Sequence, residues 1–140
     1  MSTQITLNFN SEEFSCPCCG MEWINRNLVH RLQVIRDIIG CPMIINSGCR
    51  CTKHNAQVGG KSESYHLLGL AADWTTEDPK TVERVALHLI PQWSGGFRFY
   101  EDKNFIHCVI YINITAIIII QFIKSLKEVF LFTFLFAKLI

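Results

Sequence analysis

Between Ser64 and Asp73 the chain reads Ser-Tyr-His-Leu-Leu-Gly-Leu-Ala-Ala-Asp, and this stretch restricts the folding more than any other. The step from His66 to Asp73 is too long for one helical turn. It predicts His66 at the end of a loop, a bend at Gly69, and Asp73 on a strand from Leu70 to Thr75. Period-two alternation then puts Ala71 on the same strand face as Asp73, where a small side chain leaves room beside the carboxylate. An imidazole and a carboxylate so placed are two thirds of a zinc site. Zinc takes such ligands at about 2.0 to 2.2 Å, and a catalytic site keeps one of its four corners open. In that corner a water can be polarised, its pKa falling from ~15.7 towards ~7, which is hydrolytic chemistry. The third ligand is expected from a distant histidine, and Phe105-Ile106-His107-Cys108 offers His107 on a strand-like run.

Ser64, His66, Gly69, Ala71 and Asp73 resemble the signature of the zinc D-Ala-D-Ala peptidases, peptidase family M15, and the run looks most like subfamily A. Upstream, Ser47-Gly48-Cys49-Arg50-Cys51-Thr52-Lys53-His54-Asn55 is similar to the usual Ser-Gly-Tyr-Arg-Cys-Pro-x-His-Asn segment of that subfamily. The Phe14-x-Cys16-x-Cys18-Cys19-Gly20 opening looks like phage and prophage members. The resemblance covers Glu12 to Cys108. It implies an α+β fold of the Hedgehog/DD-peptidase type, a small antiparallel sheet packed with helices. It also implies hydrolysis of peptidoglycan stem peptides, by a carboxypeptidase or a murein endopeptidase of endolysin type, with His66, Asp73 and His107 as ligands of a catalytic Zn2+. The Arg50 guanidinium is a planar fork suited to a substrate carboxylate or carbonyl, or else to a surface salt bridge. The Ser64 hydroxyl suits either substrate binding or holding the loop.

One departure bears on catalysis. In the subfamily the last ligand usually opens His-x-Asp, two residues that share a strand face, whereas here the second is Val109. A valine neither accepts a proton nor orients a ligand. Glu101 and Asp102, shortly before His107, are the remaining carboxylates for general-base work, with Glu101 preferred; the other reading of Glu101-Asp102-Lys103-Asn104 is a solvated turn.

The flanking sequence supplies a scaffold. Asn25 to Ile39 carries Leu28, Val29, Leu32, Ile35, Ile38 and Ile39 at helical spacing, ended by Gly40 and Pro42. Met43 to Asn46 reads as a short strand leading into the Arg50 loop. Asp78 and Pro79 open a second helix with Val82, Val85, Ala86, Leu89 and Ile90 inward. Gly95-Gly96 turns into Phe97 to Tyr100, a hairpin partner for Phe105 to Ile112. His30 and His88 have no partner at ligand spacing and are expected on the surface, while His54 falls in the family-like loop.

Residues 1–108 read as one small domain, and the net charge of +1 gives no electrostatic case for nucleic acid. Residues 109–140 form an atypical apolar tail. Val109 to Ile123 and Val129 to Ala137 carry no charge, and neither reaches the length of about 20 residues that a membrane span needs. A tilted, interrupted span or an interfacial hairpin is one reading. Translation of AT-rich DNA in a shifted frame, giving a disrupted terminus, is the favoured one.

The seven cysteines are odd in number, and Met1 to Asn10 carries no secretory signal, which argues for a reducing compartment over a disulfide framework. The same absence suits a phage lysin released by a partner, or a virion-associated protein. Cys16, Cys18, Cys19 and Cys51 could close a second, structural zinc site, with free thiols as the alternative.

Overall fold

The computed structural model describes residues 2–89 and 93–111. Its centre is a four-stranded antiparallel sheet in the order β1-β2-β4-β3, where β1 is Ile44–Ser47, β2 Ala71–Thr75, β3 Gly96–Tyr100 and β4 Phe105–Val109. Helices α1, Arg26–Ile39, α2, Thr52–Gln57, and α3, Pro79–Leu89, complete a small α+β domain. The expected helices and strands are present, with ends shifted by one to three residues.

Alternation along the strands divides the sheet into two faces. Ala72, Trp74, Ile106 and Cys108 are fully buried on one of them, in a core shared with Leu28, Val29 and Leu32 of α1 and Val82 of α3. Each such Leu or Val side chain contributes about 1.5–3 kcal/mol by leaving water. Burial, with the charge of Asp73 added, pushes the Cys108 thiol up to about 12, so it packs as an inert apolar group.

Asn25 caps α1 through the Asn27 N–H at 2.9 Å, and Asp78 caps α3 through the Lys80 N–H at 3.1 Å. One helix position differs from expectation. Ile38 is 63% exposed, because at 3.6 residues per turn it stands about a quarter of a turn from the centre of the stripe formed by Leu28, Leu32 and Ile35. The inward placing of Leu89 and Ile90 lies outside the described side chains.

Two short elements had no counterpart in the reading of the sequence. A 3-10 turn, Ser11–Phe14, is started by Asn10, whose side chain takes the Glu12 and Glu13 N–H groups while Glu13 returns to the Asn10 N–H. Helix α2 occupies the stretch around His54 that the sequence presents as a family-like loop.

At the other end, Val109 and Ile110 are buried, and the Ile110 N–H bonds the Leu70 carbonyl at 3.0 Å. The packed chain therefore runs past Cys108. Residues 112–140, which hold most of the expected tail, lie outside the described residues. Among the described residues no helix is long and apolar enough to cross a membrane.

Candidate metal centre and active site

Sheet register assembles the site. Asp73 on β2 faces Ser47 on β1 and His107 on β4, and His107 in turn faces Arg98 on β3, so these four form one row on the face away from the core. His66 arrives from a 3-10 turn, Tyr65–Leu68. Ser64 starts that turn by accepting the His66 N–H at 3.4 Å, which is the loop-holding use of its hydroxyl. Gly69 closes it at φ 65°, pressed so closely on the Trp23 carbonyl that a side chain has no room.

The tautomer of His66 follows from its partner. Its Nδ1 is 2.6 Å from the Gly48 carbonyl oxygen. A carbonyl only accepts, so Nδ1 carries the proton and the neutral ring turns the lone pair of Nε2 towards Asp73. Nε2 then lies 3.3 Å from Asp73 Oδ2, two acceptors aimed at one place. A cation between them converts repulsion into attraction. In a tetrahedral zinc site with bonds of 2.0–2.1 Å, neighbouring donors stand about 3.3 Å apart, the separation seen here.

His107 supplies the third donor. Its Nδ1 is 2.6 Å from Asp73 Oδ1, and one donor atom from each of His66, Asp73 and His107 falls within 4.8 Å of the others. Two imidazoles and a carboxylate are a zinc donor set. Burial works against the Asp73 charge, but the hydrogen bond from His107 Nδ1 holds its carboxyl well below the usual carboxylate range.

Arg50 joins the group more closely than a surface salt bridge would. Its Nη2 lies 2.7 Å from Asp73 Oδ2 and its Nε donates to Ser47 Oγ at 2.8 Å, with the Arg50 side chain only 14% exposed. Beside this pair opens a groove of about 330 Å³, lined by Ser47, Arg50, His54, Asp73, Lys103 and Phe105.

Three observations decide what this site belongs to: the donor triad, the Arg50 pair, and a family model described as Peptidase M15 that matches residues 6–109. The chain belongs to the peptidase M15 family. No curated protein matches it. Peptidases of the M15 family are zinc-dependent, in keeping with the donors that converge here.

Two residues of this M15 chain stand apart from the triad. Glu101 lies in the exposed 3-10 turn Glu101–Lys103 between β3 and β4, and its side chain makes no hydrogen bond or ion pair with His66, Asp73 or His107 among the described residues. The same turn delivers Lys103 to the groove. Val109 is buried on the sheet face of His107, across from Ala71 on β2 and Gly96 on β3. His30 and His88 are exposed, as their spacing predicted.

Reading the sequence missed Gly48, whose carbonyl orients His66. Its signal was the Ser47-Gly48 pair. A methyl group at Gly48 would overlap the Phe14 backbone, so the segment would have to shift and take the carbonyl with it. For Gly48→Ala we expect about 1–3 kcal/mol lost in denaturant unfolding and zinc affinity about 10–100-fold weaker in chelator competition. Native affinity in a folded variant would mean that this carbonyl does not set the ring.

The cysteine quartet also comes together. One sulfur from each of Cys16, Cys18, Cys19 and Cys51 lies within 4.8 Å of the others. Burial opposes ionising Cys16, yet the N–H groups of Cys51 and Cys18 directed at its sulfur bring the thiol down to about 6. Cys18, hydrogen-bonded to Cys51 and surrounded by its neighbours' sulfurs, is pushed up to about 12.

Proposed function

We propose that this M15 chain is a zinc-dependent peptidase that hydrolyses peptidoglycan stem peptides, as a D-Ala-D-Ala carboxypeptidase or a murein endopeptidase. The supporting observation is the meeting of His66 Nε2, the Asp73 carboxylate and His107 Nδ1 beside an open, cationic groove. Held by these three, zinc would supply a Lewis acid that makes water acidic near neutral pH and polarises a carbonyl.

The remaining work falls to the chain. Gly48 fixes the His66 ring through Nδ1, and Ser47 fixes Arg50 through Nε. The other guanidinium donors of Arg50, with Lys103 across the groove, suit the terminal carboxylate of a peptide ending in D-alanine. Glu101 takes the proton from the attacking water and returns it to the leaving amine.

The test is incubation of the zinc-loaded full chain with purified peptidoglycan and with stem peptides ending in D-Ala-D-Ala. Released D-alanine or new amino groups are expected, abolished by a chelator and restored by zinc. Intact substrates in the presence of a fully zinc-loaded chain overturn the proposal. Val109 favours a second reading, a zinc-holding cell-wall module without turnover, which predicts sedimentation with peptidoglycan in place of cleavage.

A further inference from the structure

We propose that Cys16, Cys18, Cys19 and Cys51 form a second, closed metal centre that takes a thiophilic divalent ion such as Zn2+ and ties the N-terminal segment to the Arg50 loop. The local backbone is already shaped for it. The Cys16 carbonyl accepts the N–H groups of both Cys19 and Gly20, at 3.3 and 2.8 Å, and the Cys16 N–H reaches the Met21 carbonyl at 2.9 Å. The turn thereby gathers three sulfurs from four residues.

The fourth sulfur comes from the far side of the N-terminal half. Cys51 begins α2, its N–H points at Cys16 Sγ from 3.4 Å, and its own sulfur lies 3.2 Å from that of Cys18. Four thiolates on a tetrahedral zinc at ~2.3 Å stand about 3.8 Å apart, inside the range this cluster spans. Four sulfurs leave no corner for water, so the centre is structural.

Two of the three remaining cysteines are otherwise engaged. Cys49 is buried and donates to the Met21 carbonyl at 2.8 Å, and Cys108 lies under the sheet. Apolar packing does little for the turn itself, since Cys18, Cys19, Gly20 and Met21 are all exposed. An ion would supply the cross-link that a core does not. Arg50 adjoins Cys51 and its N–H bonds the His66 carbonyl at 3.0 Å, so the same ion would steady the loop that carries the Asp73 partner.

This centre requires no cleavage, so its failure and that of the peptidase reading are separable. The full chain, purified under reducing conditions without chelator, is expected to hold two zinc ions. Exchange into Co2+ should give the intense near-ultraviolet band of thiolate-to-cobalt charge transfer, and a mercurial should release one metal ion while leaving the other. His107→Ala should keep that band, whereas Cys18→Ser with Cys51→Ser should lose it. If the double variant fails to fold, the native cobalt spectrum and the mercurial titration decide. A cobalt-loaded native chain without the band, a mercurial that releases no metal, or a Cys18–Cys51 disulfide in reductant-purified protein would each overturn the proposal.

Discussion

Alanine at His107 is expected to empty the three-donor centre and bring peptide hydrolysis to background. The choice of residue matters. His66 is almost wholly buried and holds the Gly48 carbonyl, so its loss disturbs the Arg50 loop as well as the metal. Removing Asp73 leaves Arg50 without its partner in a confined place. The His107 side chain is 26% exposed at the end of the row, and the fold loses with it one hydrogen bond to a carboxylate. Such a bond is worth about 1.5–3 kcal/mol, a cost the domain can survive. Changes to residues behind a ligand weaken metal binding about 10–100-fold, so deletion of a ligand should exceed about 100-fold. Zinc competition against a chelator reads the loss directly, and circular dichroism shows whether the fold persists. A folded His107→Ala chain that binds zinc as tightly as the native one, or cleaves as fast, would remove His107 from the centre and the peptidase proposal with it.

Why these donors were legible in the sequence is a matter of what local patterns encode. His66 and Asp73 are close in sequence, and the bend at Gly69 followed by alternation on β2 already determines their relative placement. His107 could be proposed as a donor because it stands alone on a strand-like run, but its partner depended on β4 pairing with β2 so that His107 faces Asp73. That register is a property of the sheet. The hydrogen bond from His66 to Gly48 crosses 18 residues and involves a backbone carbonyl, which no side-chain pattern records. The same limit explains α2: its cap is a cysteine sulfur accepting the His54 N–H, a weak signal beside the usual Ser, Thr, Asp or Asn. Ile38 misled for another reason, since an apolar residue at an approximately helical interval need not face the core once the helix reaches the domain's edge.

Changing Glu101 to Gln is expected to lower kcat by about 10²–10⁴ while zinc content and the folded spectrum stay as they are, the range that general acid–base catalysis supplies. The argument starts from an absence on β4. Where the subfamily that the sequence resembles usually has His-x-Asp, this chain has Val109 two residues after His107, buried against Ala71 and Gly96 and unable to move a proton. A proton acceptor must then come from elsewhere, and the turn after β3 is placed to provide one: it adjoins the groove through Lys103, and Glu101 is its first residue. The exposure of Glu101 leaves its side chain free to swing towards a bound peptide, because no partner among the described residues holds it in place. The amide of glutamine keeps the shape and removes the basicity, so the loss should fall on kcat with KM little changed. Asp102→Asn, one residue along the same turn, should leave the rate within a few-fold. If Glu101→Gln is as active as the native chain, the base lies elsewhere. If the native chain is itself inactive while Val109→Asp acquires zinc-dependent hydrolysis, the site holds its metal without the group that would put it to use, and the non-catalytic reading replaces the catalytic one.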